Sequence, residues 1–481
     1  MAARFHALPA GLLPGLLALL PALSGCGPES APNPTARRSV ILVSLDTLRA
    51  DRLGCYGYGR PTSPFLDELA AQGVLFEAAM APSSKTATSH MSMFTGMHPG
   101  VHGVRNYYGA EGRAANPGLP LLPELFQNAG YTTAAFTGGG MMSRELGFGR
   151  GFATYDDGGG GAPRVFGKAE SWLRQNVAEL RDEPFFLFVH TYEIHDPYTP
   201  PQEWQDRFAT GYQGPIDSTR IEYPENYQEL WKETPEYYEE IQRRFWGHFD
   251  GNRAEDVKHM SDLYDAGIAF TDDRLRQFWA VVGELGLADE VVLVVTSDHG
   301  EEFADHRGMS HQTVYQEILH VPLIVRLPDA ERAGATVPRP VQGADLAPSL
   351  AELCDLALPV PVQGRSFAPS LRGELSDWDV TWSEVGTPKN ESAAMRWGRY
   401  KLIGYVDGRD GEFYDLELDP REKFNMKENL VELAVHVTKL MFAQKDENDE
   451  LNQRYGSAAV SMGEDAVNQM KALGYTLSSE E

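Results

Sequence analysis

Only three cysteines are spread over 481 residues, too few for a disulfide scaffold. Positive charge is also scarce. Lysine and arginine number 42 against 69 aspartates and glutamates, a formal net charge of −27. A chain of that balance lacks the basic face that a phosphate backbone requires, so nucleic acid is excluded as the main partner. No long uninterrupted hydrophobic run is present. The most apolar stretch, residues 7–25 (ALPAGLLPGLLALLPALSG), is short and interrupted by prolines, which disfavours a spanning helix. The glycine run 158–161 lacks the Lys and Ser/Thr of a phosphate-cradling loop. What is present in quantity is apolar: 42% hydrophobic residues, enough for a packed core, which rules out global disorder.

The first residues have the pattern of a processed leader, with Arg4 ahead of a short apolar segment. Leu23-Ser24-Gly25-Cys26 resembles the lipobox of bacterial lipoproteins. That resemblance implies cleavage after residue 25, lipidation of Cys26 and membrane attachment through that lipid alone. Gly27 after the cysteine resembles outer-membrane sorting, so the expected location is the cell envelope, facing the periplasm or the cell surface. Residues 26–37 are then a Pro-rich tether. Cys55 and Cys354 remain, either paired or as buried free thiols.

Length suggests about three domains as a starting point. The pattern narrows this to one catalytic body, residues 38–376, and a smaller C-terminal subdomain, 377–481. Continuous apolar runs at 39–45, 132–136 (TTAAF), 185–189 (FFLFV) and 291–295 (VVLVV) predict strands buried on both faces. Helical stretches at 64–72, 121–128 and 274–284 alternate with them. The expected fold class is α/β: a large, mostly parallel sheet sandwiched by helices, with a small C-terminal α+β subdomain. Alternating segments at 378–385, 395–405 and 412–418 predict an antiparallel sheet there, followed by a helix over 431–444. Residues 202–260 form an aromatic and acidic insertion, read either as a lid that stacks on a sugar or lipid headgroup or as a hairpin packed on its own rings.

In open α/β sheets the chemistry collects at the carboxyl ends of the strands. Asp46 ends the first run, and Asp298-His299 follows the most apolar one. A carboxylate and an imidazole side by side at a strand end present two donors to one point, which is a divalent-metal pair. Asp46 on a neighbouring strand would reach the same ion. The hydroxyl-rich turn 83–89 leads into an apolar helix, where a hydroxyl facing the metal can become a nucleophile.

The segments 40–76, 89–103 (SHMSMFTGMHPGVHG), 185–201 (FFLFVHTYEIHDPYTPP), 264–278, 294–306 (VVTSDHGEEFADH), 315–328, 413–420 and the ending MKALGY at 470–475 resemble, in order, those of the sulfatase family in the alkaline phosphatase superfamily. The resemblance implies an ester hydrolase acting on a small anionic ester, with a glycan or a lipid headgroup as its carrier. It implies Asp46, Asp298 and His299 as ligands of one divalent metal, with Ca, Mg, Mn and Zn all open. It makes His195 the group that assists the leaving oxygen, and His311 a second base or anion contact. Counting back from Thr95-Gly96, the residue that classical members convert to formylglycine is Thr86 here, and the usual arginine is His90. Threonine cannot become formylglycine, so none is expected. The Gly-Lys-x-His element is replaced by Thr137–Met142 (TGGGMM). The Lys85-Thr86 step resembles instead the threonine nucleophiles of superfamily phosphodiesterases and headgroup transferases, with Thr86 on the metal.

Chemistry then favours a phosphodiester or phosphonate ester. A threonine ester has no elimination route and must be displaced in line, which phosphoryl groups undergo readily beside a metal. Either His311 or His90 would orient the second nucleophile, with a helix-surface position the other reading of His90. A sulfate ester, a headgroup transfer and a catalytically dead binding module remain as alternatives.

Overall fold

The computed structural model describes residues 37–105, 111–220, 243–306, 308–374, 379–385, 392–405, 409–463, 466–467 and 469–470. The leader, Cys26, nearly all of the tether and most of MKALGY lie outside the described residues. From Arg37 onward the chain forms one compact unit.

The strands are β1 (Ser39–Leu45), β2 (Val74–Phe76), β3 (Thr132–Phe136), β4 (Thr154–Asp156), β5 (Phe185–Thr191), β6 (Val291–Thr296), β7 (Leu323–Arg326) and β8 (Ala335–Val337). They join into one eight-stranded sheet, ordered β8-β2-β7-β6-β1-β5-β3-β4. All neighbours run parallel except β7, which is antiparallel to both β6 and β2. The expected mostly parallel sheet is present.

The apolar runs are explained by their two faces. Val40, Leu42, Phe186, Phe188, Val292 and Val294 pack into one core with Met91, Phe94 and Phe126. Ile41, Val43, Leu187, Val189, Leu293 and Val295 pack into the opposite core with Leu69, Phe166, Leu275 and Phe278. Consecutive residues of one strand thus enter different cores, so no polar alternation is tolerated. Each fully buried Phe of β5 contributes about 1.5–3 kcal/mol.

Helices cover both faces. The described ones include α1 (Pro64–Gln72), α2 (Thr86–Thr95), α3 (Leu122–Asn128), α4 (Ala162–Leu180) and α5 (Ala254–Glu284). The 274–284 expectation was too short: α5 runs 31 residues, because an acidic first turn and a buried face extend the pattern well upstream.

The smaller sheet is four-stranded and antiparallel: β9 (Val380–Val385), β10 (Ser392–Trp397), β11 (Tyr400–Tyr405) and β12 (Glu412–Asp415). The single segment expected at 395–405 is a hairpin turned at Gly398, whose φ of 59° lies in the left-handed region. Trp382, Met395, Leu402 and Phe413 pack against Ala434 and Val437 of α6 (Val431–Tyr455), which continues past the expected end. Cys55 and Cys354 are both free thiols. No described helix is long and apolar enough to cross a membrane.

Candidate metal and nucleophile site

Register brings the strand ends together. Ser44 of β1 lies opposite His190 of β5 and Thr296 of β6. The next residues of the three strands therefore emerge at one edge, where the Asp46 amide donates to the Thr191 carbonyl at 3.1 Å. Asp46, Asp298 and His299 are fully buried, and one donor atom from each lies within 4.8 Å of the others.

The rings around them are fixed by their second nitrogens. His299 Nδ1 donates to the Gly300 carbonyl at 3.0 Å, which leaves the lone pair on Nε2 facing Asp298 Oδ2 at 3.4 Å and Thr86 Oγ1 at 3.5 Å. His190 receives the Gly138 amide on Nδ1 at 3.4 Å and so donates from Nε2 to Asp46 Oδ2 at 3.1 Å. Asp46 Oδ1 and Asp298 Oδ2, both buried, have no hydrogen-bond donor among the described residues. Burial and the neighbouring Asp298 push the Asp46 carboxyl well above its ordinary range. Asp298 is held down to about 2, since the nearby His299, His90 and His190 outweigh its burial. Burial drives His299 down to about 4 and His190 well below its ordinary value. Both carboxylates carry an unpartnered oxygen, and an imidazole lone pair points at them. This donor set fits a divalent cation.

Thr86 opens α2, placing its hydroxyl at the helix N-terminus above these groups. The helix is braced from below by His90, which donates from Nδ1 to the Thr86 carbonyl at 2.9 Å and accepts the Ser44 hydroxyl on Nε2 at 2.9 Å. His90 is fully buried, so the helix-surface reading is corrected; its Nε2 ties α2 to the central strand, while its Nδ1 bonds within the helix.

His195 and His311 face each other with ring centroids 5.1 Å apart, and His311 also lies 4.5 Å from the His299 ring. His195 Nδ1 donates to the Asp196 carbonyl at 2.7 Å. His311 Nδ1 approaches Glu301 Oε1 at 3.1 Å, and burial holds this ring well below the ordinary histidine value. Lys85 Nζ donates to the His311 carbonyl at 3.1 Å and to Gln312 Oε1 at 2.8 Å, and burial lowers its ammonium to about 8. The sequence-derived catalytic and metal candidates therefore gather at one edge of the sheet, while Cys26 lies outside the described residues.

Two partners were not assigned from sequence. Glu301, fully buried against His311, stands inside the 294–306 motif but gave no sign of its contact. Gly138 fills part of the missing Gly-Lys-x-His element; its amide reaches His190, and a Cβ there would meet the Tyr192 ring at 2.4 Å. Tyr212, Trp246 and Phe249 of the insertion pack against the second core, and the Trp246 indole donates to Asp196 Oδ2 at 2.8 Å. Tyr223, Tyr227, Trp231, Tyr237 and Tyr238 lie outside the described residues.

The sulfatase family model matches residues 38–356, and the model of the N-sulphoglucosamine sulphohydrolase C-terminal region matches 304–447. The chain is 24% identical over 434 residues to a delta 4,5-hexuronate-2-O-sulfatase of Bacteroides thetaiotaomicron, covering 84% of this chain and 87% of that one. It is 23% identical to human iduronate 2-sulfatase, over 67% of this chain and 65% of the other. Among solved structures, the phosphonate monoester hydrolase of Agrobacterium radiobacter superposes with a TM-score of 0.68 at 19% identity, covering 86% and 96% of the two chains. A protein in complex with D-glucosamine-2-N,6-O-disulfate superposes with a TM-score of 0.70 at 19% identity, covering 87% and 99%.

Proposed function

The chain belongs to the sulfatase family, and from that premise we propose that it is a metal-dependent hydrolase of phosphodiester or phosphonate esters with Thr86 as its nucleophile. The carrying observation is the Thr86 hydroxyl, set at a helix N-terminus 3.5 Å from His299 Nε2 and over the Asp46–Asp298 pair.

Asp46, Asp298 and His299 would hold one divalent cation, with Thr86 as its neighbour. A cation there lowers the pKa of an adjacent hydroxyl and neutralises charge on substrate oxygens. Carboxylate and imidazole donors are compatible with Ca, Mg, Mn and Zn alike. Thr86 Oγ gives up its proton to solvent and forms the new bond to phosphorus as the bond to the leaving oxygen breaks. His195 gives that oxygen its proton, and the ammonium of Lys85 supports the anionic group. Water then displaces Thr86 in line, passing a proton to the His195 left neutral by the first step, while the departing Thr86 oxygen regains its proton from solvent. His311 orients that water, with its other nitrogen engaged by Glu301. His90 sets the position of the Thr86 backbone and, through it, the hydroxyl.

A sulfate ester is the second reading, favoured by what the named relatives act on. The objection is chemical: a threonine sulfate has no elimination route and must await attack on sulfur. The LSGC motif supports anchoring at Cys26 in the cell envelope as part of the same proposal.

Hydrolysis of a bis-aryl phosphodiester, an aryl phosphonate monoester and an aryl sulfate is to be compared in wild type and Thr86→Ala. Phosphoryl or phosphonyl turnover that disappears with Thr86 supports the proposal. Sulfate turnover that survives Thr86→Ala overturns it.

A further inference from the structure

A cavity of about 470 Å³ lies between α6, the small sheet and Gly100, Gly103, Arg105 and Arg113, and none of its lining residues belongs to the metal and nucleophile cluster. Its wall includes Arg105, Arg113, Trp382, Glu384, Phe442 and Asn448.

Asn448 is the decisive residue. It is 2% exposed, and its Oδ1 receives His98 Nδ1 at 3.4 Å, Gln363 Nε2 at 2.8 Å and Gln444 Nε2 at 3.2 Å. Gln342 Nε2 donates to His98 Nε2 at 3.1 Å, so His98 must carry its proton on Nδ1. Donors converging on Oδ1 fix the amide's orientation. Its Nδ2 is then left as a buried donor with no hydrogen-bond partner. A buried polar group in that state bears its desolvation cost uncompensated until an acceptor arrives.

Beside it stands a carboxylate. A Cβ on Gly100 would lie 2.9 Å from Glu384 Oε1 and 3.4 Å from Asn448 Nδ2, so the absent side chain leaves this acceptor and donor next to each other. A neighbouring donor and acceptor match a sugar hydroxyl, which gives and receives a hydrogen bond at once. Phe442, 63% exposed at the rim, offers an apolar face for a pyranose ring. Arg105 and Arg113 place guanidinium groups in the wall of a protein whose net charge is −27. Planar guanidinium forks suit a carboxylate, sulfate or phosphate substituent.

We propose that this cavity binds a sugar residue carrying an anionic group: a hydroxyl on Asn448 and Glu384, the ring on Phe442, and the anion on Arg105 and Arg113. It is a saccharide site additional to the catalytic cluster, and the proposal does not depend on which ester that cluster hydrolyses.

The test is calorimetric titration of the full chain with a heparin-derived tetrasaccharide and with the same tetrasaccharide after desulfation. Binding of the sulfated probe is expected in wild type and in Thr86→Ala, which removes the proposed nucleophile. Arg113→Ala is expected to weaken the sulfated probe about 10-fold and the desulfated one little. Phe442→Ala should weaken both several-fold. Arg113 and Phe442 are exposed, so both variants are expected to keep the wild-type melting temperature. Turnover of a small aryl ester should also be unchanged in both. No binding by wild type at millimolar probe overturns the proposal, as does affinity unaltered in both cavity variants. Affinity lost in Thr86→Ala but kept in the cavity variants assigns the saccharide to the catalytic cluster and equally overturns it.

Discussion

Thr86 Oγ1 and His299 Nε2 lie 3.5 Å apart, fully buried, on elements separated by 213 residues of sequence. His299 spends its other nitrogen on the Gly300 carbonyl, so the nitrogen facing Thr86 carries a lone pair. The pair links the two halves of the proposed chemistry: a hydroxyl at a helix N-terminus and a ligand set at the ends of parallel strands.

If that hydroxyl attacks the substrate, Thr86→Ala lowers kcat by at least about 10³-fold, because no other group replaces a lost nucleophile. Thr86→Ser keeps the oxygen and removes only a methyl, so measurable turnover is retained. Initial rates on the phosphonate ester check both. Equal rates in wild type and Thr86→Ala would remove Thr86 from the mechanism.

Metal loading is expected to depend on pH through Asp46. Its folded-state carboxyl is raised well above the ordinary 3.8 by burial and by Asp298. Without a cation, the stability this contributes is fully present below the unfolded value and lost as pH rises through the folded one. A cation relieves the repulsion between the two carboxylates. The melting-temperature gap between metal-loaded and chelator-treated protein therefore widens as pH increases, on the order of 3 °C when the cation is about 100-fold above its Kd. Asp46→Asn should bind substoichiometric metal by elemental analysis and show almost no gap. A gap independent of pH would count against Asp46 as a ligand.

Strands and candidate ligands were legible in the sequence for the same reason. Runs such as 40–43 and 291–295 enter two cores at once and admit no polar residue, so Asp46 and Asp298-His299 stand out as the first ionisable groups after them. Thr86, His195 and His311 were singled out through the family resemblance rather than through spacing. The contacts that orient the site were not. Ser44 meets His90 across 46 residues, and Glu301 meets His311 only because the chain folds back between them. A histidine bracing its own helix against a strand has no local periodicity. The length of α5 was missed because its polar N-terminal turns resemble a loop until the buried face is known.

Lys85 gives a second pH signature. Burial lowers its ammonium to about 8, against the opposing pull of Glu301 and Asp196. Raising pH through that value removes the positive charge proposed to support the anionic group, so kcat/KM should fall on the alkaline side with an apparent pKa near 8. Lys85→Met is expected to lose this limb and to be about 10²-fold slower at neutral pH. A pH profile of kcat/KM for both proteins from acid to alkaline buffer decides it. An alkaline limb that persists in Lys85→Met would assign the titration to another group.

Asp272 carries a prediction about stability. It lies on α5, yet its carboxylate accepts the Phe65 amide at 2.9 Å and the Leu66 amide at 2.8 Å, the first free donors of α1. The Ser63 side chain, at the usual capping position, makes no cap bond, so Asp272 caps this helix from another element. Asp272→Ala leaves two amides unsatisfied, both buried among the residues joining α1 to α5, and should cost about 1–3 kcal/mol. Asp272→Asn keeps one amide oxygen as an acceptor and should cost less. Urea unfolding of the three proteins ranks them directly, with wild type the most stable and Asp272→Ala the least. Asp272 touches none of the proposed site residues, so the rate per folded molecule should stay at the wild-type value. A loss of rate without a loss of stability would show that α1 and α5 act on the site in a way their contacts do not reveal.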